Sequence, residues 1–168
     1  SSRASQRERR TYVVTGAGSG IGAVTAQRLR REGGRVIGCD LRDAEIVGDL
    51  ATREGRAALI EGATRLAGGR VDAIVANAGG GPPETMLALN FFGAVATLEG
   101  LRPLLEASPA PRAVAVSSIS SLRPPDARLL EACLSLDEAA AEAAARERIA
   151  ERDGLALYSN AKHALNTW

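Results

Sequence analysis

Two residues near the end of the chain have types and spacing that could do acid/base chemistry. Tyr158 and Lys162, the only lysine in the sequence, stand four positions apart in YSNAK. Residues four apart lie on one face of a helix, where an ammonium can bias a phenol toward ionisation. An ammonium about 4 Å from a phenolate contributes about 4 kcal/mol at an effective dielectric near 20. The pair predicts a general acid/base, although two such residues taken alone are usually helix surface.

A glycine-rich turn is the second informative feature. The sequence TGAGSGIG, from Thr15 to Gly22, follows the first apolar run and precedes a helical pattern. Glycines at such a turn let the backbone approach a pyrophosphate, and the free amides of the following helix can bind the phosphates. Ordinary turn chemistry is the alternative reading of the motif taken alone. Its place between a strand and a helix favours a dinucleotide site, with glycines at Gly16, Gly18, Gly20 and Gly22.

An acidic residue ends the second predicted strand, RVIGCD. Asp40 lies 18 residues beyond Gly22. A carboxylate there can accept hydrogen bonds from the adenosine ribose and would repel a 2′-phosphate, which favours NAD over NADP. Two alternatives stay open: the aspartate begins a turn, or nearby Arg42 serves a phosphate. Asp49 is a further candidate for contact with the adenine, although an aspartate that ends a strand needs no ligand to explain it.

The elements that must position these residues alternate along the chain. Five short apolar strands are predicted, the third being very short and ending at Asp49. Helical patterns are predicted over about residues 21–31, 52–66 and 84–105, the second beginning at Thr52 and closing at Gly68. Such alternation predicts a parallel sheet covered on both faces. We therefore predict an α/β fold with a Rossmann-type doubly wound sheet in the strand order 3-2-1-4-5, which binds its ligand at the carboxyl ends of the strands.

A helical insertion of about residues 122–153 interrupts this pattern before the YSNAK helix. Pro124, Pro125 and Asp126 can open one helix, and Ser135 with Glu138 has the form of a capping box for a second, alanine-rich helix. The apolar side of the second helix is mostly alanine, so it can bury little area alone. We expect a lid or a subunit contact, against the alternative of a surface excursion without a role.

Composition excludes several functional classes. The formal net charge is +1, which gives no field to hold nucleic acid or an anionic membrane. The sequence shows no membrane span and no secretory signal, so we predict a cytoplasmic protein. Cys39 and Cys133 lack the neighbours of a ligand pattern, and we predict no metal. Residues 1–10 read as a disordered or vector-derived leader, and 11–168 as a single NAD-binding domain.

Together these segments resemble the short-chain dehydrogenase/reductase family. The resemblance extends from Thr11 to Trp168 and rests on five motifs in order: TGAGSGIG, NAG, LNFFG, VAVSS and YSNAK. Within the family, the short span from Asp40 to Asp49 and the helical insertion are most similar to bacterial hydroxysteroid dehydrogenases/carbonyl reductases. The resemblance implies an NAD(H)-dependent oxidoreductase that reversibly oxidises a secondary alcohol to a ketone.

The resemblance also implies roles for single residues. Tyr158 would be the general acid/base, and Lys162 would assist it and hold the nicotinamide ribose. Ser118 would hydrogen-bond the reacting oxygen, with Ser117 as the alternative, and Asn90 would anchor a water that relays the proton. The alternative for Asn90 is a helix asparagine satisfied by the backbone. Implied contacts to the cofactor are Gly16, Ser19, Gly20, Ile21, Gly22, Asp40, Leu41, Asp49, Leu50, Asn77, Ala78, Gly79, Tyr158 and Lys162.

The chain departs from the family at its end, because Trp168 falls inside the helix that carries Tyr158. We expect the C-terminal part of the fold to be absent, which would leave an unpaired strand edge. By resemblance the substrate would be a small apolar ketone or secondary alcohol, with a steroid as the leading candidate, and the protein a homodimer. The competing hypothesis is a sensor or scaffold that binds NAD(H) without turnover.

Overall fold

Five parallel strands form the central sheet in residues 9–168, which the computed structural model describes. The strands run in the order β3-β2-β1-β4-β5, which confirms the predicted Rossmann-type topology. Their carboxyl ends share one edge, and the chain changes direction across the sheet between β1 and β4, where such folds place their ligands. The strands are β1 Thr11–Thr15, β2 Arg35–Asp40, β3 Ile46–Val47, β4 Ala73–Ala76 and β5 Arg112–Ala115.

The central strands are apolar because helices cover both of their faces. Val13, Val14 and Ile74 have no exposed surface. A run of apolar residues without alternation is what a strand of a parallel sheet requires when neither face meets water. Strand β5 differs: all four of its residues are exposed. Among the described residues it pairs with β4 alone, so one of its edges is open.

The helices follow the predicted bounds closely in the first half of the chain. Helix α2 is capped by Thr52, whose Oγ1 accepts from Gly55 N at 3.0 Å, and it ends at Gly68 with φ 66°. A hydroxyl cap and a left-handed glycine are the usual signals for helix ends. The α-helices are α1 Gly20–Arg31, α2 Arg53–Ala67, α3 Ala94–Glu106, α4 Ala127–Leu134, α5 Glu138–Ala150 and α6 Gly154–Thr167.

The helix predicted from about Glu84 to Leu105 is not continuous. A 3₁₀ turn, Pro83–Thr85, precedes a π-helical segment, Ala88–Gly93, which leads directly into α3. Asn90 causes a local break, because its Nδ2 donates to the Met86 carbonyl at 2.8 Å, the acceptor that its own backbone N–H would use in an α-helix. π-Helical turns inside helices are frequent at functional sites.

Helices α4 and α5 form the predicted insertion and pack on their own domain. Ala141, Ala144 and Ala145 of α5 are buried in one core cluster with Phe91 and Leu157. The alanine side of α5 is thus covered within the chain, and small side chains let the helices approach closely. This packing argues against an alanine surface left free for a partner.

The predicted capping box at Ser135 is wrong. Ser135 ends α4, and Leu136 follows with φ 59°, so the chain completes a turn before α5 begins. Asp137 caps α5 instead, since its Oδ1 accepts from Ala140 N at 2.9 Å. The cap lies two residues later than predicted because the α4 terminus uses the residues that a Ser135 cap would need.

Asp126 caps α4, accepting from Arg128 N at 2.9 Å, and it also pairs with Arg148 of α5.

Most of the predicted leader, residues 1–8, lies outside the described residues. Arg9 and Arg10 are described, and Arg10 donates from Nη2 to the carbonyls of Asp72 at 3.1 Å and Ala110 at 2.8 Å. Arg10 is therefore attached to the sheet end opposite the carboxyl edge. Within residues 9–168, no helix combines the length and the apolar character needed to cross a bilayer.

Candidate active site

A cavity of about 550 Å³ opens at the carboxyl edge of the sheet. The predicted cofactor residues that line it are Gly16, Ser19, Gly20, Ile21, Asp40, Leu41, Asp49, Leu50, Asn77, Ala78 and Gly79. The fold brings these residues together from four separate stretches of the chain. Gly22, Tyr158 and Lys162 were predicted as cofactor contacts but do not line the cavity.

The glycine turn is tight enough to exclude side chains. Gly16 and Gly20 have φ values of 66° and 52°, in the left-handed region that glycine adopts without strain. A Cβ on Gly22 would lie 2.0 Å from the Gly16 carbonyl oxygen, so Gly22 lies beneath the turn instead of facing the cavity. Ser19 precedes α1 without a side-chain cap, which leaves the first amides of α1 available to an anion.

Asp40 is held against the glycine turn. Its Oδ2 accepts from Gly18 N and its Oδ1 from Leu41 N, both at 2.7 Å. Carboxylate oxygens have further lone pairs, so Asp40 can still accept from a ribose hydroxyl. The alternative phosphate ligand, Arg42, is exposed and does not line the cavity.

Apolar side chains border the part of the cavity next to Asp40. Ile21 and Leu41 expose 69% and 64% of their surface although both line the cavity, and Leu50 is buried behind it. Exposed aliphatic groups facing one opening suit a planar aromatic ring. One oxygen of the Asp49 carboxylate is already bonded within the protein, because Oδ1 accepts from Ala51 N at 2.9 Å.

Asn77 joins the two strands at which the sheet order reverses. Its Nδ2 donates to the Thr15 carbonyl at 3.2 Å, and the backbone amides of Asn77 and Ala78 both donate to Thr15 Oγ1 at 3.0 Å. These bonds fix the loop after β4 to the loop after β1. Asn77 therefore shapes the cavity wall, and its side-chain Nδ2 is bonded within the protein itself.

Tyr158 and Lys162 lie one turn apart on α6, as the spacing predicts. The Lys162 ammonium lies 5.7 Å from the centre of the Tyr158 ring. The lysine is only 4% exposed and donates from Nζ to the Val116 carbonyl at 2.7 Å. Burial lowers the pKa of Lys162. Desolvation strengthens the field of the ammonium at its neighbours, because little water screens it.

Asn90 connects this pair to the cavity wall. A Cβ placed on Gly79 would lie 2.7 Å from Asn90 Oδ1 and 3.6 Å from Lys162 Nζ, so both groups lie directly behind a residue that lines the cavity. Asn90 is fully buried. Its Oδ1 accepts from Gly80 N at 2.8 Å, and its Nδ2 donates to the Gly80 and Met86 carbonyls. The side chain is satisfied by the backbone, which was the alternative reading of Asn90.

The two candidate serines follow β5. Ser118 Oγ accepts from Ser120 N at 3.2 Å and from Ser120 Oγ at 3.0 Å, and so caps the 3₁₀ turn Ile119–Leu122. Ser117 Oγ is buried and has no hydrogen-bond partner within residues 9–168. A buried hydroxyl without a partner is unusual in a folded protein. Ser118 keeps a free hydroxyl hydrogen only if it acts as the acceptor in both of these bonds.

Sequence reasoning missed part of the cavity wall. The loop after β4 contributes Gly81 and Pro82, and the following helical turn contributes Thr85 and Leu89. The run AGGGPP at the carboxyl end of a predicted strand was the available signal, since ligands in open α/β sheets bind there. Cys39 also lines the cavity, and burial raises its pKa to about 11, so the thiol stays protonated near neutrality.

Comparison with known proteins places this geometry in a family. A sequence profile described as short chain dehydrogenase matches residues 10–128. The 3-alpha-hydroxysteroid dehydrogenase/carbonyl reductase of Comamonas testosteroni is 34% identical over 158 residues, which cover 91% of this chain and 62% of that protein.

Solved structures agree with the sequence comparison. The 3-alpha-hydroxysteroid dehydrogenase from Pseudomonas sp. B-0831, complexed with NADH, superposes with a TM-score of 0.86 at 34% identity, covering 94% of this chain and 63% of that one. The Pseudomonas aeruginosa RhlG/NADP complex gives a TM-score of 0.66 at 25% identity, over 94% and 62% of the two chains. The chain spans somewhat under two thirds of the length of these relatives. By its matched sequence profile, its identity to the Comamonas protein and its fold, this chain belongs to the short-chain dehydrogenase/reductase family.

Proposed function

We propose that this chain is an NAD(H)-dependent oxidoreductase that interconverts a secondary alcohol and a ketone. The observation that carries the proposal is the buried Lys162 ammonium, 5.7 Å from the Tyr158 ring centre and next to a wall of the 550 Å³ cavity. A desolvated cation beside a phenol at a ligand-sized opening is the arrangement that acid/base chemistry requires.

Tyr158 exchanges the proton in this proposal. In the oxidation direction its phenolate accepts the hydroxyl proton of the alcohol as the carbonyl forms, and in reduction it returns that proton to the oxygen. Lys162 stabilises the phenolate electrostatically. Ser118 donates a hydrogen bond to the reacting oxygen, where negative charge develops. A nicotinamide dinucleotide bound in the cavity supplies the acceptor or donor of the hydride.

The residues present fit such a dinucleotide. The uncapped start of α1 and the glycine turn suit the pyrophosphate, and Asp40 suits the adenosine ribose. The Asp40 carboxylate favours NAD(H), because a 2′-phosphate at the same place would bring two anions together. The NADH in the Pseudomonas sp. B-0831 relative, at 34% identity, supports the same choice.

An apolar ketone or secondary alcohol, with a steroid as the leading candidate, is the proposed substrate. Exposed apolar side chains lie beside the catalytic residues along the chain: Ile119 follows Ser118 and is 85% exposed, and Leu155 precedes Tyr158 by three positions and is 60% exposed. Such groups suit an apolar ring system. The names of the Comamonas and Pseudomonas relatives support a steroid or another carbonyl compound.

A homodimer completes the proposal. Helices α4 and α5 cover the side of the domain formed by α6 and the π-helical segment, so a second copy that approached on this side would meet the inserted helices. A light-scattering mass equal to one chain would refute the dimer. The cytoplasmic location predicted from the sequence stays a prediction.

NADH absorbance with a panel of cyclic ketones tests the activity. Tyr158→Phe should lower the rate by roughly 10²- to 10⁴-fold while NADH binding is unchanged, because only the proton transfer is removed. Tyr12→Phe, which alters the other tyrosine, in β1, is the control and should retain the rate. Equal and negligible rates for wild type and Tyr158→Phe, together with tight NADH binding, would favour the sensor hypothesis and reject the enzyme.

A further inference from the structure

A buried arginine lies where the inserted helices meet the wall of the cavity. Arg56 of α2 is only 9% exposed. Arginine is rarely buried without partners, because its guanidinium keeps its charge and carries five N–H donors. The identity of its partners therefore indicates what Arg56 holds in place.

The guanidinium contacts three separate parts of the fold. Nη1 and Nη2 each donate to a carboxylate oxygen of Glu138 at 2.8 Å, which is a bidentate pair with the first residue of α5. Nε donates to the Leu50 carbonyl at 2.8 Å, and Nη2 also donates to the Ala88 carbonyl at 2.7 Å. Leu50 lines the cavity, and Ala88 begins the π-helical segment that carries Asn90.

The backbone of the cavity wall near Leu50 lies outside the sheet, although the Leu50 side chain is buried in a core cluster with Ile46 and Leu59. Strand β3 is only two residues long and ends at Val47, so Asp49, Leu50 and Ala51 lie outside the sheet. Local turn bonds hold this stretch, such as Thr52 N to the Asp49 carbonyl at 2.9 Å. The hydrogen bond from Arg56 Nε links the Leu50 carbonyl directly to the first turn of α2. Glu138 holds the plane of the guanidinium, so the geometry of this bond depends on Glu138.

We propose that the Arg56–Glu138 pair is a positioning element, by which inserted helix α5 sets the Leu50 wall of the cofactor cavity. This inference rests on the proposed NAD(H) function. The side chains of the pair are 10% and 14% exposed, so loss of Glu138 leaves a buried cation without a counter-charge. The guanidinium then turns toward water, and the Leu50 and Ala88 carbonyls lose their donor.

Loss of the pair should weaken binding of the adenosine half of the cofactor. Leu50 and Asp49 line the same cavity as Asp40, the proposed ribose ligand. ADP-ribose, which lacks the nicotinamide, should therefore report the same loss as NADH. Glu138→Ala is expected to lower the affinity for ADP-ribose and for NADH by the same factor, about tenfold. This is within the range for residues that act through a connected network.

A control on each helix isolates the pair. Glu142→Gln alters an exposed carboxylate one turn further along α5, and Arg65→Met alters an exposed arginine of α2. Both should bind ADP-ribose and NADH as wild type does. Glu138→Gln keeps two hydrogen-bonding atoms at the site and provides a milder variant if Glu138→Ala does not fold.

A double variant separates positioning from stability. Arg56→Met with Glu138→Leu replaces the ion pair by apolar groups, and such replacements of buried pairs are often neutral or stabilising. We expect its unfolding midpoint to stay near the wild-type value. The dissociation constants for ADP-ribose and NADH, measured by titration calorimetry well below that midpoint, should still be about tenfold higher than in the wild type.

The outcomes are distinguishable. If the wild type binds neither ADP-ribose nor NADH, the proposed function fails. If the wild type binds both, and the double variant binds them equally well, the pair is purely structural and this inference is overturned. The inference is likewise overturned if Glu138→Gln and Glu138→Ala lower the unfolding midpoint without changing either dissociation constant.

Discussion

Lys162 holds its ammonium 5.7 Å from the centre of the Tyr158 ring while it donates to the Val116 carbonyl at 2.7 Å. Because the carbonyl fixes the position of the ammonium, the charge is held near the phenol without a change of side-chain conformation. No carboxylate pairs with Lys162 in the part of the chain that the structure describes. Its charge is available to the phenol, at a cost to stability.

Lys162→Met should therefore remove activity without destabilising the fold. Burial lowers the pKa of Lys162 below the ordinary value of 10.5, so the unfolded chain binds this proton more tightly than the folded one. The lysine thus reduces the stability of the folded state at neutral pH, and wild-type stability should rise with pH from the lowered folded pKa up to 10.5. We expect the variant to equal or exceed the wild-type free energy of unfolding by about 1 kcal/mol at pH 7.

Urea unfolding of both proteins at pH 7 and pH 10 checks this expectation. The stability difference should shrink at the higher pH, because part of the wild-type lysine is then neutral. A variant that is several kcal/mol less stable than wild type at pH 7 would contradict it.

Asn90→Ala should destabilise the loop after β4. The substitution leaves Gly80 N, the Gly80 carbonyl and the Met86 carbonyl without their side-chain partner. Unsatisfied buried groups cost about 1–3 kcal/mol each, partly recovered by relaxation, so we expect a loss of about 2 kcal/mol. That corresponds to a fall of about 4–8 °C in the thermal midpoint for a chain of this size.

Calorimetry gives the midpoint directly, and Asn166→Ala is the matched control. Asn166 is exposed and makes a single bond to Ser121 Oγ at 2.9 Å, so its removal should change the midpoint little. Equal midpoints for Asn90→Ala and wild type would show that the Gly80 loop does not depend on this side chain.

Asp40→Asn should reduce the preference for NAD(H) over NADP(H). The amide removes the negative charge that opposes a 2′-phosphate, and it weakens the bond accepted from Gly18 N. We expect the ratio of NADPH to NADH dissociation constants to fall about tenfold, which is about 1.4 kcal/mol. Fluorescence titration with both dinucleotides measures the ratio.

Asp43→Asn removes the same charge three positions further on and should leave the ratio unchanged. Asp43 is exposed with φ 52°, a conformation that asparagine tolerates. An unaltered ratio in Asp40→Asn would remove the electrostatic argument for NAD(H).

Asp72→Asn should lower stability at neutral pH but much less in acid. Although burial acts in the opposite direction, the Thr11 amide and Ser108 hydroxyl, together with Arg70 and Arg10, lower the pKa of Asp72. The Thr11 amide donates at 2.8 Å and the Ser108 hydroxyl at 2.7 Å. A carboxylate with a lowered folded pKa contributes stability above its unfolded value of about 3.9, and this contribution is lost as pH falls through the folded pKa.

The expected loss at pH 7 is about 2 kcal/mol, the usual magnitude for hydrogen bonds to a charged group. Urea unfolding should show that the difference in free energy of unfolding between wild type and Asp72→Asn is smaller below about pH 3.5 than at pH 7. Asp153→Asn is the control, because Asp153 is exposed and its side chain caps no helix. A constant difference at all pH values would mean that the charge of Asp72 contributes nothing.

Local signals predicted most of the fold. Alternating strand and helix patterns gave the sheet order, and Thr52 and Gly68 marked the ends of α2. The cap of α5 could not be read in the same way, because Ser135 and Asp137 are both good caps and the end of α4 decided between them. The break at Ala88–Gly93 also escaped the pattern, since apolar periodicity does not reveal where one side chain takes a backbone acceptor.

The sequence by itself determined the features that depend on neighbours along the chain: the glycine turn, the carboxylate at the end of β2, and the helical spacing of Tyr158 and Lys162. Only the tertiary structure decided the partners, because packing brings together groups that no local period relates. It paired Lys162 with a carbonyl 46 residues away and Arg56 with a carboxylate 82 residues away. It also turned Asn90 toward Gly80, since a buried amide must satisfy its donors and acceptor wherever the fold supplies them.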